Sequence, residues 1–204
     1  MKQKNHVEPI KISDPDLLSA IETEKNRGYY SDEVIHYIAN KANKLTFNTG
    51  EFLCAPHLPC DHHFYIAKGL VRSYFADSDG KEVTQYFCFE NMFIINSGSG
   101  TREYIQALED SVVYTITQDE YSAVLETDSD LKAVVGETKD QLLGFERRRS
   151  FDILTKDAHT RYAEFLSYYL ELGINVSRIK DKHIASYLGI SPETLSRIKK
   201  QKLT

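Results

Sequence analysis

Residues 181–200 read DKHIASYLGISPETLSRIKK, and this stretch predicts two short helices joined by a tight turn. Asp181 is suited to cap the first helix, and Gly189 can adopt the left-handed conformation that ends it. Ser191 is the next N-cap candidate, and Pro192 follows at the first helical position, where its missing N–H costs nothing. The spacing of these start and stop signals predicts a helix-turn-helix.

The apolar residues of this stretch are spaced so that the two helices share a small core. They are Ile184, Ala185, Leu188, Ile190, Leu195 and Ile198. Because successive helical residues are rotated by about 100°, Glu193, Arg197 and Lys200 fall on the side of the second helix that faces away from that core. This outward side is suited to the major groove of double-stranded DNA, and a helical hairpin used only for packing is the alternative.

The side chains of the second helix have the chemistry of base and phosphate recognition. Arginine can bond guanine through two N–H groups, and glutamate can accept a hydrogen bond from cytosine, so Arg197 and Glu193 are the candidate base readers. The other candidates for contact with DNA suit phosphate groups, which fix the register of a protein on DNA without specifying sequence. They are Ser191, Thr194, Lys199 and Lys200.

The composition of the 204-residue chain, with 41% hydrophobic and 27% charged residues, is that of a folded protein with one or two domains. The charge is divided unevenly. Residues 1–154 carry a net charge of −9, whereas residues 155–204 contain nine basic and five acidic residues, a net charge of +4. An acidic body with a basic end approaches a polyanion in one orientation, and a solvated basic tail is the simpler alternative.

Targeting signals and cysteine spacing indicate the compartment. The longest uninterrupted apolar run is about Met92 to Ile95, far short of the roughly 20 residues of a membrane span, so no membrane partner is predicted. The N-terminus has no apolar signal segment, and we therefore expect a cytoplasmic protein. The three cysteines, Cys54, Cys60 and Cys88, have no CxxC spacing, and we expect them to be reduced.

Residues 44–117 consist of short runs rich in aromatic and β-branched residues, separated by turn residues. Apolar and polar positions alternate from Val71 to Ala76, and the same period of two returns after an Asp-Gly turn. This pattern predicts an antiparallel barrel or roll within an α+β fold. Helices are predicted over residues 16–25, from a cap at Ser31, and over 119–125 and 157–172. The predicted domains are an N-terminal extension (1–30), the barrel (31–127), a long helix (128–154) and the helix-turn-helix domain (155–204).

The predicted long helix carries a stripe of mainly apolar residues at steps of three and four. The residues of this stripe are Leu131, Val135, Thr138, Leu142 and Phe145. Such a stripe is typical of the seam of two paired helices, so we predict a homodimer. The alternative is an amphipathic helix that lies on its own barrel.

Five segments resemble one known family when they are taken together with this order of domains. They are residues 50–53 (GEFL), 64–72 (FYIAKGLVR), 79–83 (DGKEV), 107–111 (ALEDS) and 184–197 (IASYLGISPETLSR). From about residue 31 to residue 202 the chain resembles the Crp/Fnr family of bacterial transcription regulators. The resemblance implies a cyclic-nucleotide-binding-like sensor barrel, a dimer paired through the long helix, and recognition of a near-palindromic operator, with RNA polymerase as a further candidate partner. It assigns base reading to Glu193 and Arg197, with Pro192 in place of the family's usual arginine.

The family's cassette for a cyclic nucleotide is degenerate in this sequence. Its Gly-Glu pair for the ribose is replaced by Ile95 and Asn96, and its Arg-Ser pair for the cyclic phosphate by Thr101 and Arg102. A phosphate buried without its arginine leaves a charge unpaired, and Ile95 adds bulk where the backbone must approach the ligand. We therefore predict a regulator that does not respond to cyclic AMP, and no cofactor is predicted.

Two other functions remain as alternatives. Residues 54–63 concentrate possible metal ligands, so a metal- or haem-binding sensor that uses His57, Cys60 or His62 is one of them. Three cysteines cannot supply the four thiolates of an iron–sulfur cluster. A cupin-like metalloenzyme is the other alternative, but adjacent His62 and His63 lack its His-x-His spacing, and no hydrolase or metalloprotease motif occurs. The favoured prediction is a regulator that is not an enzyme and has no metal site.

Overall fold

A computed structural model describes residues 14–27, 32–56, 60–95, 102–127 and 129–201. Within these ranges the chain forms seven α-helices and eight β-strands. The helices are α1 (Pro15–Arg27), α2 (Asp32–Lys41), α3 (Gln118–Thr127), α4 (Ser129–Thr155), α5 (Ala158–Glu171), α6 (Asp181–Leu188) and α7 (Pro192–Gln201). The strands are β1 (Asn43–Phe47), β2 (Phe52–Cys54), β3 (His62–Lys68), β4 (Val71–Ala76), β5 (Glu82–Cys88), β6 (Met92–Ile94), β7 (Glu103–Ala107) and β8 (Ser111–Thr117).

The strands form two four-stranded sheets, with the orders β1-β8-β3-β6 and β2-β7-β4-β5. The pairs β1–β8, β3–β8, β3–β6 and β2–β7 are antiparallel. The alternating segment from Val71 and the one that follows the Asp-Gly turn form β4 and β5, as the period of two predicted. The predicted α+β class with an antiparallel β-roll is therefore confirmed.

One face of the first sheet is covered by helices. Tyr65 on β3 lies opposite Tyr114 on β8, and both pack with apolar residues of α1 such as Leu17. The Tyr114 hydroxyl donates a hydrogen bond of 2.9 Å to the Asp14 carboxylate, which also pairs with the Lys44 ammonium at 2.7 Å. Helix α1 was predicted within a separate N-terminal extension, but its apolar side completes the core beside β3 and β8.

The described residues divide into two compact units. The first contains the residues up to Ser73 and those from Phe87 to Glu137, and the second contains Tyr74–Tyr86 and the residues from Thr138 onward. These boundaries differ from the predicted domains at two places. The long helix α4 is shared between the units, and the turn of β4 and β5 groups with the helix-turn-helix.

The long helix was predicted over residues 128–154 and is observed as α4, Ser129–Thr155. Charged residues interrupt its apolar positions throughout, which a bilayer does not favour. Within the described ranges no helix is both long enough and apolar enough to cross a membrane.

The expectation of three reduced cysteines is wrong for two of them. Cys54 at the end of β2 and Cys60 just before β3 form a disulfide, and Cys88 is a free, buried thiol. The Cα atoms of Cys54 and Cys60 are 5.6 Å apart, which is within the usual range for a disulfide. The absence of a CxxC spacing in the sequence does not exclude such a pair. Burial, with a smaller contribution from the charge of Glu103, raises the pKa of Cys88 to about 12. This thiol is therefore protonated at neutral pH.

Candidate nucleic-acid interface

The first helix of the helix-turn-helix, α6, begins one residue earlier than its predicted cap implies. Lys180 occupies the N-cap position without a capping side-chain hydrogen bond, and Asp181 is the first helical residue. The prediction of Asp181 as the N-cap is therefore wrong. Its carboxylate instead forms an ion pair with Lys199 of α7 and still lies in the first turn, where the helix dipole favours negative charge.

The turn between α6 and α7 confirms the other local signals. Gly189 has φ 65° and ψ 36°, the left-handed conformation, and its N–H donates to the carbonyl oxygens of Ala185 and Ser186. Ser191 caps α7, because its hydroxyl accepts a hydrogen bond of 3.2 Å from the Thr194 N–H. Pro192 is the first helical residue, as predicted.

The predicted apolar residues form the core between α6 and α7. Ala185 and Leu195 are both 0% exposed, and these two residues mark the centre of that core. The side chains of Ile184, Leu188 and Ile198 are also buried, and Ile190 is half-buried. Helix α7 is therefore held by its buried apolar side, which contacts both α6 and α5.

The opposite side of α7 is open to solvent and charged. Glu193, Arg197 and Lys200 are exposed, as the helical spacing predicted. Together with three neighbours they line one continuous surface, which we call the recognition face. Its residues are Pro192, Glu193, Ser196, Arg197, Lys200 and Gln201. The sequence argument did not include Ser196 and Gln201, although Ser196 follows Glu193 by three positions and Gln201 follows Arg197 by four.

The remaining predicted DNA contacts have partners within the protein. The Lys199 ammonium pairs with Asp181, and Thr194 is half-buried. The Ser191 hydroxyl is engaged in the cap of α7. Of the six predicted contacts, Glu193, Arg197 and Lys200 are thus the ones whose polar groups are presented outward by the recognition face.

The Glu193 carboxylate is held in its charged form. Hydrogen bonds from its own backbone N–H and from the Ser191 hydroxyl lower its pKa from the usual value. A carboxylate accepts hydrogen bonds and donates none, which suits the amino group of cytosine. Ser191 therefore caps α7 and also helps to keep Glu193, a predicted base reader, charged and able to accept hydrogen bonds.

The four predicted effector-pocket residues are described only in part. Ile95 is half-buried and Arg102 is exposed, whereas Asn96 and Thr101 lie outside the described residues. The structure adds a carboxylate that the sequence argument missed. Glu103 alternates with the buried residues Ile105 and Ala107 of β7, which places it on the inner face of the roll.

The Glu103 carboxylate accepts a hydrogen bond from the hydroxyl of Ser73, which is fully buried on β4. The sequence does not indicate the hydrogen bond between Ser73 and Glu103, because the two residues are 30 positions apart.

A model of the cyclic nucleotide-binding domain family matches residues 44–128. Three solved structures are similar over most of the chain. FixK2 from Bradyrhizobium japonicum has 22% sequence identity and a TM-score of 0.72, covering 78% of this chain and 83% of that chain. A CooA mutant from Carboxydothermus hydrogenoformans has 21% identity and a TM-score of 0.68, covering 95% and 86%. A protein from Eubacterium rectale described as a transcriptional regulator of the Crp/Fnr family has 15% identity and a TM-score of 0.62, covering 86% and 84%. No curated protein sequence matches the chain.

The chain has the Crp/Fnr fold. Its roll is similar to the cyclic nucleotide-binding domain family over residues 44–128, and its C-terminal helices α6 and α7 form a helix-turn-helix. The resemblance found in the sequence is thereby confirmed for the fold.

Part of the predicted dimer seam on α4 packs against residues of the same chain. Val135 is 4% exposed and packs with Ile116, Tyr121 and Val124, so its assignment to an intermolecular seam is corrected. Phe145 is half-buried, with its ring centre 5.3 Å from that of Tyr168.

The side chains of Leu131, Thr138 and Leu142 lie outside the described residues. Among the side chains of α4 that the structure describes, the exposed large apolar ones are Leu143, Phe151 and Leu154. Dimerisation through α4 stays a prediction.

The candidate metal ligands are not brought together by the described part of the chain. His62 pairs with Asp61 at 2.7 Å, whereas His63 is buried with its ring centre 4.5 Å from that of Tyr121. Cys60 is in the disulfide, and His57 lies outside the described residues. Among the residues that are described, no three metal-binding side chains cluster.

Proposed function

We propose that this protein is a sequence-specific DNA-binding transcription regulator that acts as a homodimer. The observation that carries the proposal is the recognition face, in which Glu193, Arg197 and Lys200 are exposed on a helix whose opposite side is buried at Leu195 and Ile198. An α-helix of this kind fits the major groove, where each base pair presents a distinct pattern of donors and acceptors.

The roles within the recognition face follow from the chemistry of the side chains. The Arg197 guanidinium has a planar pair of donors for guanine, and the charged Glu193 carboxylate accepts from cytosine. Lys200 is a point charge on a flexible stem, which suits a phosphate group. Two copies of the chain present two such faces, so the operator is expected to be nearly palindromic. RNA polymerase remains a candidate partner of the bound regulator.

We expect Arg197→Ala and Lys200→Ala to have different effects on DNA binding. Removing Arg197 deletes a base contact worth about 1–3 kcal/mol, so it relaxes the preference for one base by roughly 5- to 150-fold. Removing Lys200 deletes a phosphate contact from each copy of the homodimer, so it weakens binding to all duplexes by a similar factor and reduces the salt slope by about two. The measurement is selection of DNA from a random pool, followed by titration of the selected operator and its single-base variants.

Ser167→Ala is the control, because it changes an exposed residue of α5 that lies outside the recognition face. It is expected to retain the base preference of the unchanged protein. If Arg197→Ala and Lys200→Ala weaken every duplex to the same extent, the assignment of base reading to Arg197 is wrong. If the unchanged protein selects no sequence at low salt, the proposed function itself is wrong.

We further propose that the roll does not take cyclic AMP. Glu103 places a carboxylate, hydrogen-bonded by Ser73, on the inner face of the roll, where the cyclic phosphate of a nucleotide would add a second negative charge. Like charges in a water-poor interior repel strongly. Isothermal calorimetry with cyclic AMP and cyclic GMP is expected to give no binding heat at micromolar concentrations, and micromolar affinity for either nucleotide would contradict the proposal.

A further inference from the structure

A cavity of about 60 Å³ lies between helices α1 and α2 and the face of the first sheet that they cover. Its walls are mainly apolar side chains of α1, α2, β3, β6 and β8, all of which belong to the first compact unit. Ile95 and Arg102, the described residues of the predicted effector pocket, are not among the residues that line it. The cavity is therefore distinct from the place that the family resemblance assigns to an effector.

Small side chains of the helices meet large rings of the sheet at this cavity. Ala20 of α1 and Ala39 of α2 line it and belong to the same buried cluster as Tyr65 and Tyr114. Because an alanine side chain ends at its Cβ atom, it leaves space between the helix and the rings. Protein interiors are otherwise close-packed, and atoms that border a void lose the dispersion contacts of a filled site. A molecule of matching size would restore those contacts.

The hydroxyl groups of the two tyrosines in the wall are bonded to other parts of the protein. The Tyr65 hydroxyl donates a hydrogen bond of 2.9 Å to the side-chain oxygen of Asn91, and the Tyr114 hydroxyl donates to the Asp14 carboxylate. A water molecule in a cavity needs two to four polar partners, whereas an apolar cavity takes apolar molecules instead. The walls therefore favour an apolar occupant over water.

Two buried titratable side chains in the wall disfavour an anionic occupant. Glu24 of α1 and His63 of β3 both line the cavity and are buried. The His63 ring packs edge-on against Tyr121, and Glu24 offers an anion no positive charge. Moving an ionised carboxylate or phosphate out of water into such surroundings is very costly unless the charge is paired. The cavity therefore favours an uncharged molecule.

Hydrogen bonds at the start of α1 fasten this helix over the cavity. One carboxylate oxygen of Asp14 accepts from the Leu17 N–H at 3.3 Å and from the Tyr114 hydroxyl at 2.9 Å, and the other pairs with the Lys44 ammonium at 2.7 Å. These bonds tie the start of α1 to β1 and β8 and oppose collapse of the helix onto the sheet. A cavity that is already formed binds a ligand with little loss of conformational entropy.

We propose that the cavity between α1, α2 and the first sheet is a binding site for a small, uncharged, apolar molecule. Its volume of about 60 Å³ lies between the roughly 30 Å³ that one water molecule occupies in the liquid and the roughly 150 Å³ of an apolar cavity that takes benzene. A short hydrocarbon of about three to five heavy atoms has this size and chemistry. The site does not depend on whether the protein binds DNA.

Titration of the full-length chain with propane, followed through the methyl NMR signals of Ile38 and Ala39, tests the site. Propane is expected to shift both signals with a dissociation constant of about 1 mM, near the tightest binding that three heavy atoms allow. Propionate has the same number of carbon atoms but carries a negative charge, and it is expected to leave both signals unchanged at the same concentrations. Absence of a shift with propane, or equal shifts with propane and propionate, overturns the proposal.

Two variants of the cavity wall locate the bound molecule. Ala39→Leu fills the space with three more carbon atoms, so it is expected to weaken propane binding by at least about tenfold. Ala123→Leu makes the same change at an exposed position of α3 and is the matched control, which should bind propane as the unchanged chain does. Unchanged propane affinity in folded Ala39→Leu would place the molecule elsewhere and overturn the site.

Ile35→Val tests the same site by enlarging it, and it serves if Ala39→Leu does not fold. Ile35 is buried in the cavity wall, and the loss of one methylene group leaves additional space. This variant is expected to bind isobutane, which is one carbon larger than propane, at least about threefold more tightly than the unchanged chain does. Equal affinity of both chains for isobutane would show that Ile35 does not border the bound molecule, and the proposal would be wrong.

Discussion

Raising the salt concentration from about 50 to about 200 mM is expected to weaken operator binding by at least about 10³-fold, for six or more phosphate contacts. Each contact releases condensed counterions from the DNA, so the logarithm of the affinity falls linearly with the logarithm of the salt concentration. The contacts are expected from Lys200 on the recognition face and from exposed Lys180 and Lys182 at the start of α6, in both copies of the chain. Titrations at several salt concentrations measure the slope.

The basic end of the chain, rather than the acidic remainder, should account for this dependence. Lys182→Ala removes one contact from each copy of the chain and is therefore expected to reduce the slope by about two. Lys68→Ala, which removes an exposed lysine from β3, is the control and should leave the slope unchanged. A slope near zero for the unchanged protein would mean that phosphate contacts do not supply its affinity, and would contradict the electrostatic part of the proposed function.

Leu195→Ala is expected to destabilise the α6–α7 pair by about 2–5 kcal/mol and to abolish operator binding. Leu195 is 0% exposed and packs at the centre of a core of few residues, which has little capacity to close a cavity. A loss of this size makes opening of α6–α7 more frequent by a factor of roughly 30 or more. The amide exchange rates of α6 measure that opening, and titration of the operator measures the loss of binding.

Leu170→Ala makes the same chemical change on α5 at a side chain that is 77% exposed. Its effect on the opening of α6–α7 should stay within about 0.5 kcal/mol, because no buried contact is removed. If the amides of α6 exchange as slowly in Leu195→Ala as in Leu170→Ala, the two helices are not held together by this core. The recognition face would then lack the rigid support on which the proposed function depends.

The sequence predicted the helix-turn-helix well because its signals are local. The left-handed glycine Gly189, the cap at Ser191 and the outward side of α7 all depend on neighbours within about four positions. The cap at Asp181 was predicted by the same reasoning and was wrong, since its carboxylate is instead paired with Lys199, 18 positions away. A long-range partner decided between two uses of one side chain.

The sequence predicted the alternation of β4 and β5 and the extent of α4 equally well. It did not predict which surfaces these elements pack against. Val135 has the spacing of a dimer seam, yet it is buried beside Tyr121 of the same chain. A helical stripe records that a side is apolar but not which surface covers it.

The sequence by itself determined the α+β class, the roll, the long helix and the recognition face, because helix and strand periodicity, caps and turns act over a few residues. Only the tertiary structure decided that Cys54 pairs with Cys60, that Ser73 holds Glu103, and that Ser186 and Arg149 hold Thr84. Most of these pairs join positions 30 to 102 residues apart. Such contacts form only when packing brings distant elements together, and no local pattern in the chain records them.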